Sequence, residues 1–167
     1  MLIETERLVL RPMRMSDADD LFAVFSHPKA MKYWSTLPYT EIAQMQVHIT
    51  ESLAADPQTN AEFAVELKGR VIGKAGLWKI PEIGYLLHPD HWRKGFGIEI
   101  LQALIAYGFE ERGFDHIVAD VDPDNVASIK LLSRVGFEES GREKNTIEIG
   151  GKWFDSVYFR LNNEGLT

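Results

Sequence analysis

The fold is decided by the stretch Ile83-Gly84-Tyr85-Leu86-Leu87-His88-Pro89-Asp90-His91-Trp92-Arg93-Lys94-Gly95-Phe96-Gly97-Ile98. An apolar strand leads into a proline-broken turn, a basic loop and then a long amphipathic helix. The first turn of a helix leaves backbone N–H groups unpaired and carries about half a positive charge. Gly95 and Gly97 allow an anion to approach the backbone closely, and Arg93 and Lys94 add positive charge. The stretch therefore predicts a site for phosphate or pyrophosphate.

A lone Gly-x-Gly can also be a simple turn beside solvated basic residues. The order of strand, loop and helix favours the anion site here. The loop is not a Walker motif, because no Gly-Lys-Ser/Thr follows it. It is not a dinucleotide fingerprint either, because Ile100 stands where that motif requires glycine.

Composition predicts one domain over residues 1–167, with 45% apolar and 26% charged residues, as is usual for soluble globular proteins. No apolar run reaches the ~18 residues of a membrane span, and the N-terminus does not resemble a secretion signal. The absence of cysteine excludes disulfides and a cysteine nucleophile, so we expect a cytoplasmic protein. A net charge of −7 argues against nucleic acid and mildly favours an amine substrate.

The periodicity of apolar residues predicts strands over residues 5–13, 62–67, 71–78, 82–87, 114–121, 137–143 and 152–161. Helices are predicted from an N-cap at Ser16, from an N-cap at Thr40, from about Ile98 to Gly113, and from Asn125 to Gly136. This order predicts an α/β protein whose mixed central sheet carries flanking helices.

Three motifs together cover nearly the whole chain: Glu4-Thr5-Glu6-Arg7-Leu8-Val9-Leu10-Arg11-Pro12, the glycine-loop stretch, and Asp124-Asn125-Val126-Ala127-Ser128 followed by Leu131-Leu132-Ser133-Arg134-Val135-Gly136-Phe137. Their combination resembles the GNAT superfamily of acetyl-CoA-dependent N-acetyltransferases. The first and third motifs look like the Rim-type branch, which acetylates ribosomal-protein N-termini. Trp92 departs from the superfamily's frequent Arg or Gln, although the Rim-type branch commonly has Trp there.

The resemblance implies a GNAT fold: a mostly antiparallel sheet whose fourth and fifth predicted strands splay apart, with Gly84 marking a bulge. It also implies acetyl-CoA as the cosubstrate. Backbone groups of the fourth strand would bind its pantetheine arm, and the loop would bind its pyrophosphate. Asn125 and Ser128 would contact the arm, although Asn125 is equally suited to cap a helix. The full set of implied cofactor-binding residues is Leu86, Leu87, His88, Arg93, Lys94, Gly95, Phe96, Gly97, Ile98, Asn125 and Ser128.

The implied chemistry is direct attack of an amine on the thioester. A lysine-like amine costs about 4–5 kcal/mol to deprotonate at neutral pH, but a peptide α-amine costs only about 1 kcal/mol. Glu82 is the first candidate base and Glu66 the second, although a carboxylate on a strand is more often an ordinary surface residue. A backbone N–H near Leu86 would stabilise the oxyanion. Leu132 stands where many relatives place a tyrosine acid, so Ser128 is the substitute donor to the leaving thiolate.

The remaining expectations concern partners. We expect acetyl-CoA and an amine acceptor, no nucleic acid, no membrane, and a monomer or homodimer. No metal site is predicted, because His88 and His91 lack a third ligand. Tyr33, Trp34 and Tyr39 would border the acceptor slot or simply pack in the core. The alternatives are an acyl-CoA-binding sensor of the same fold and a nucleotide-phosphate enzyme of another fold.

Overall fold

The computed structural model describes residues 1–165, which form one eight-stranded sheet in the order β1-β2-β3-β4-β5-β6-β8-β7. The strands are β1 (Ile3–Glu4), β2 (Val9–Arg11), β3 (Ala61–Leu67), β4 (Arg70–Trp78), β5 (Glu82–Leu87), β6 (His116–Val121), β7 (Glu138–Ile149) and β8 (Lys152–Asn162). The helices are α1 (Ala18–Phe25), α2 (Ile42–Ala54), α3 (Phe96–Ala106) and α4 (Val126–Arg134). All neighbouring strands are antiparallel except β5 and β6, so the predicted mixed sheet is confirmed. Within residues 1–165, no helix has the length and apolar character to cross a membrane.

The helices cover two faces of the sheet with separate cores. On one face, Leu101 and Leu104 of α3 and Leu132 of α4 are buried against the strands. On the other face, Leu21 of α1 and Ile49 of α2 are buried. Because successive side chains of a strand point to opposite faces, β5 contributes to both cores. This strand therefore lies between the two layers of helices.

The first predicted strand, over residues 5–13, is a strand only from Val9 to Arg11, and β1 precedes it; the two predicted N-caps, Ser16 and Thr40, are wrong. A single 3-10 turn, Met15–Asp17, precedes α1, and the Asp17 carboxylate accepts a 2.8 Å hydrogen bond from the Arg14 amide. Ser16 therefore does not cap the helix. At α2, Glu41 is the N-cap, and the Gln44 side-chain oxygen accepts the Glu41 amide at 3.0 Å.

Strands β5 and β6 are paired at a single position and then diverge. β5 pairs with β4 along its whole length, but it pairs with β6 only between Glu82 and Val118. The Val118 amide donates to the Pro81 carbonyl at 3.1 Å, and beyond this point the strands diverge. The predicted splay is thus present. We call the space between the diverging strands the β5–β6 gap.

The predicted bulge at Gly84 is wrong. The register between β4 and β5 is unbroken, with Gly84 opposite Gly76, and the nearest irregularity lies between Val65 and Glu66 of β3. A Cβ on Gly84 would lie 3.7 Å from the indole nitrogen of Trp78, which is ordinary contact. The neighbours therefore leave room for a side chain at Gly84, and no break in the ladder accounts for the glycine.

The last hairpin is longer than predicted, because β7 continues to Ile149. Lys144, Asn145 and Glu148 in this extension are polar and exposed, and a register shift between Glu143 and Ile147 interrupts the alternation. Gly150 and Gly151 turn the chain at positive φ. A Cβ on Gly150 would lie 3.1 Å from Leu37, so the hairpin tip rests against the connection between α1 and α2.

Candidate active site

Two residues of β5 direct their backbone polar groups into the β5–β6 gap. The His88 amide donates to the Ile72 carbonyl at 2.9 Å, and the Leu86 carbonyl faces Gly73, so both groups lie on the β4 side. Backbone groups alternate sides along an antiparallel strand, which leaves those of Tyr85 and Leu87 facing the gap. The prediction that Leu86 and His88 offer free backbone groups there is therefore wrong. Leu87 keeps the predicted placement.

Trp92 lies across one end of this gap. Its indole N–H donates a 3.0 Å hydrogen bond to the Leu87 carbonyl, while 40% of the residue remains exposed. The tryptophan that replaces the superfamily's Arg or Gln thus connects the end of β5 to the glycine loop. The substitution is visible in the sequence, but the contact with Leu87 is not.

The glycine loop presents a row of free amides. Arg93 and Gly95 both have positive φ, 60° and 83°, and Gly95 is the N-cap of α3. The helix begins at Phe96, two residues before the predicted start, because this left-handed glycine brings the chain into the helix early. The first helical bond joins the Glu99 amide to the Gly95 carbonyl at 3.2 Å. Among residues 1–165, the amides of residues 94–98 have no hydrogen-bond partner, as an anion site requires.

Gly97 has a packing role that the sequence did not reveal. A Cβ at this position would lie 3.0 Å from Leu131 of α4 and 3.8 Å from the Tyr85 ring. A side chain at Gly97 would therefore point toward α4 and β5, so the expectation that glycine is needed here to let an anion approach is wrong. Glycine is needed here because α3 and α4 approach each other closely.

The start of α4 faces the same region. The Asn125 side-chain oxygen accepts the Ser128 amide at 3.3 Å, so the capping role is confirmed. Burial raises the pKa of Tyr85 to about 12, although a hydrogen bond with Ser128 opposes the rise. Tyr85 is thus a neutral phenol beside Ser128, a neighbour that the sequence alone does not indicate. Leu132 is 2% exposed and packs in the core. This position therefore supplies no acid for the leaving thiolate.

The two candidate bases differ in their surroundings. Burial raises the pKa of Glu82, the negative charge of Asp120 raises it further, and Lys79 opposes the rise. Glu82 pairs with Val118, and Asp120 lies two residues further along β6 on the same face, where the strands part. Glu82 is therefore a partly buried carboxylate at the entrance of the gap.

Glu66 is not free to act as a base, so that prediction is wrong. Its carboxylate lies 2.6 Å from Nε of Arg11, which is 7% exposed. The same guanidinium makes two further bonds of 2.8 and 2.9 Å to Asp17. Glu66 thus belongs to a structural ion-pair network that joins β2, β3 and the start of α1.

Residues 7–138 match the family described as "Acetyltransferase (GNAT) domain". The chain belongs to the GNAT acetyltransferase family. It is 36% identical to the "Uncharacterized N-acetyltransferase p20" of Bacillus licheniformis, over 94% of this chain and 93% of the relative. The family confirms the predicted N-acetyltransferase and excludes the alternative of a nucleotide-phosphate enzyme on another fold.

Two solved structures extend the comparison of this GNAT acetyltransferase. A GNAT-family acetyltransferase from Bacillus anthracis has a TM-score of 0.86 and 25% identity, covering 97% of this chain and 98% of the other. RimJ of Mycobacterium smegmatis, in complex with CoA-disulfide, has a TM-score of 0.89 and 21% identity, covering 99% and 89%. Because the identity to RimJ is only 21%, this similarity shows a shared fold and nothing more.

A buried polar cluster lies on the α1/α2 face of the acetyltransferase. Lys74 Nζ is 2.5 Å from Glu62 Oε1, and His48 Nε2 is 3.7 Å from the other carboxylate oxygen. Burial alone would raise the pKa of Glu62, but the nearby His48 ring and the charge of Lys74 lower it to about 2. The Lys74 ammonium also lies 5.5 Å from the ring centre of Trp34. We call Glu62, Lys74 and His48 the buried polar cluster.

An open pocket of about 320 Å³ separates the α1–α2 connection from the last hairpin. Trp34 lines it, whereas the Tyr39 ring centre packs 5.1 Å from the Phe25 ring centre and Tyr33 is 36% exposed. Of the three predicted aromatic residues, only Trp34 lines this pocket. The lining residues are Pro28, Met31, Lys32, Trp34, Thr36, Leu37, Pro38, Ile149, Gly150, Lys152 and Phe154.

Among the described residues, His88 and His91 have no third side chain beside them that could complete a metal site. The ring centres of His88 and His91 are 6.4 Å apart, and His88 Nδ1 accepts the Asp90 amide at 3.1 Å. Among residues 1–165 no three His, Cys, Asp or Glu side chains are placed to hold a metal ion.

Proposed function

We propose that this protein binds acetyl-CoA in the β5–β6 gap and transfers the acetyl group directly to a primary amine. The observation that carries the proposal is the single pairing of Glu82 with Val118, after which the strands diverge and leave backbone groups unpaired. A pantetheine arm can bond to such groups much as an added strand would. Unpaired amides of residues 94–98 lie at the end of the gap.

Different residues of the chain would bind different parts of acetyl-CoA. The loop amides, with Arg93 and Lys94, bind the pyrophosphate. Tyr85 offers its backbone N–H and carbonyl to the pantetheine amides, since these groups face the gap, whereas the Leu87 carbonyl already accepts the Trp92 indole N–H. The side-chain amide nitrogen of Asn125 remains available to the arm, because its oxygen already caps α4.

Transfer needs a proton acceptor for the amine and a donor for the thiolate. Glu82 accepts the amine proton, directly or through water, and its raised pKa brings it closer to the working pH of a general base. The Leu87 N–H stabilises the negative charge that develops on the carbonyl oxygen. As the C–N bond forms and the C–S bond breaks, Ser128 donates a hydrogen bond to the leaving sulfur.

The acceptor is a primary amine that approaches from the α1/α2 face. Glu82 and Asp120 place negative charge on this face of the sheet, which attracts a cationic amine. The pocket beside Trp34 offers room for the rest of the acceptor. A protein N-terminal α-amine and a small-molecule amine both fit this description.

Thiol release tests the proposal. Purified protein is incubated with acetyl-CoA and a panel of N-terminal peptides and small amines, and free CoA thiol is measured. We expect release with at least one amine, a strong loss in Glu82→Gln, and a smaller loss in Ser128→Ala. Glu148→Gln, a change at an exposed carboxylate of β7, serves as the matched control. CoA binding without thiol release would support the sensor, and absence of CoA binding would refute the cofactor site.

A further inference from the structure

We propose that Arg7, from the segment between β1 and β2, binds a phosphate group of CoA together with the glycine loop. This inference rests on the proposed cofactor site and names a binding residue far from the loop in sequence. Arg7 lies 87 residues before Lys94 in the chain, but its guanidinium is fixed against the start of α3.

Three contacts determine the position of the guanidinium. Its Nε donates to Oε1 of Glu99 at 2.8 Å, and its Nη1 donates to the Lys94 carbonyl at 2.8 Å. Its central carbon lies 4.3 Å from the centre of the Phe96 ring, a cation–π distance. Two hydrogen bonds and a stacking contact hold the planar group in one orientation. Arg7 is therefore preorganised beside the free amides of the loop.

The third guanidinium nitrogen remains available. Among residues 1–165, Nη2 of Arg7 has no hydrogen-bond partner, and it lies 3.2 Å from the place of a Cβ on Gly95. Gly95 is the N-cap at which the free amides of α3 begin. The unused N–H groups of Nη2 therefore lie at the edge of the predicted phosphate site. Guanidinium groups bind phosphate oxygens with strong, charge-assisted hydrogen bonds.

Glu99 explains why an arginine is needed at this place. A carboxylate in the first turn of α3 would repel a phosphate bound at the same helix end. The Thr5 hydroxyl donates to Oε2 of Glu99 at 2.5 Å, and the Arg7 amide donates to the same oxygen at 2.9 Å. Burial favours the neutral acid, but these bonds and the Arg7 side chain outweigh it and lower the pKa of Glu99. The ionised Glu99 thus orients Arg7 while Arg7 compensates its charge.

A purely structural role for Arg7 makes a different prediction from phosphate binding. If Arg7 only neutralises Glu99, removing both groups should restore CoA affinity. If Arg7 itself bonds a phosphate, the double variant should stay weak. The variants are Arg7→Gln, Glu99→Gln and their combination, with Arg7→Lys to test whether charge alone suffices. Arg142→Gln is the matched control, because Arg142 forms an exposed 2.7 Å ion pair with Glu139 on β7.

Two measurements separate the outcomes: CoA affinity by calorimetry, and thiol release from acetyl-CoA compared with S-acetylpantetheine, which lacks the phosphates. We expect Arg7→Gln, alone or with Glu99→Gln, to weaken CoA binding about tenfold to a hundredfold. Arg7→Lys should recover part of the loss, and Arg142→Gln should bind as wild type. Turnover of S-acetylpantetheine should be unchanged in Arg7→Gln, and melting temperatures identify any variant that fails to fold.

The proposal is overturned if the double variant binds CoA like wild type, or if Arg7→Gln lowers turnover of acetyl-CoA and S-acetylpantetheine by the same factor. Unchanged CoA affinity in Arg7→Gln would refute the role of Arg7 alone. A wild-type protein without CoA affinity would refute the cofactor site itself, and the role of Arg7 with it.

Discussion

Acid should remove a defined part of the stability of this acetyltransferase through Glu62. The carboxylate is 9% exposed and lies 2.5 Å from Lys74 Nζ, which is equally buried. Burial would raise its pKa, but His48 and Lys74 lower it from 4.5 to about 2. Because the folded-state pKa is depressed, the stabilisation is complete above pH 4.5, the unfolded value, and is lost as the pH falls toward 2.

The size of the effect follows from that difference in pKa. At about 1.36 kcal/mol for each pKa unit, the ionised Glu62 contributes about 3 kcal/mol to the free energy of unfolding. About 2 kcal/mol of this is lost by roughly pH 3. Glu62→Gln should destabilise the protein by about 3–5 kcal/mol near neutral pH, because it leaves the Lys74 ammonium buried without a carboxylate.

Urea unfolding at several pH values measures these differences. The gap between wild type and Glu62→Gln should narrow by about 2 kcal/mol between neutral pH and roughly pH 3. The double variant Glu62→Leu/Lys74→Met should regain most of the stability, since replacing both charges leaves neither unpaired. Glu148→Gln again serves as the control. Wild type and Glu62→Gln losing stability in parallel as the pH falls would refute the depressed pKa.

Further predictions concern the gap and its surroundings. Asp120→Asn should lower the pKa of Glu82 and move the acidic limb of the kcat/KM pH profile to lower pH, because it removes the nearby negative charge. Gly97→Val should lower the melting temperature and cost about 1–3 kcal/mol in denaturant unfolding, because a Cβ there would lie 3.0 Å from a leucine of α4. Trp92→Phe should raise the KM for acetyl-CoA about fivefold at unchanged kcat, since the Leu87 carbonyl loses its indole donor.

The sequence predicts the fold well where local patterns determine it. β5 has the predicted bounds, because an apolar run followed by Pro89 specifies both its character and its end. The order of strands and helices follows for the same reason. Helix α3 begins two residues before the predicted start, because Gly95 takes a left-handed conformation that a sequence pattern does not specify. Helix caps depend on individual side-chain bonds, which explains the errors at Ser16 and Thr40.

The site is predicted less completely, because its arrangement depends on distant contacts. Which residues of β5 face the gap depends on the register with β4, which the His88–Ile72 bond and the Leu86 carbonyl beside Gly73 reveal. Glu66 looks like a free strand carboxylate until its partner Arg11, 55 residues away, is placed beside it. Arg7 is part of a recognisable opening motif, but no spacing rule brings it to the glycine loop.

The β5–β6 gap is held open by packing. β5 is paired with β4 along its whole length, and β6 is paired with β8 from His116 to Val121, so neither strand needs the other to stay in the sheet. Beneath the gap, Leu131 of α4 and the Tyr85 ring meet at Gly97 of α3. Closing the strands would have to displace this contact from a close-packed core, which is costly. The unpaired backbone groups of β5 are therefore a fixed feature of the folded protein, available before any ligand arrives.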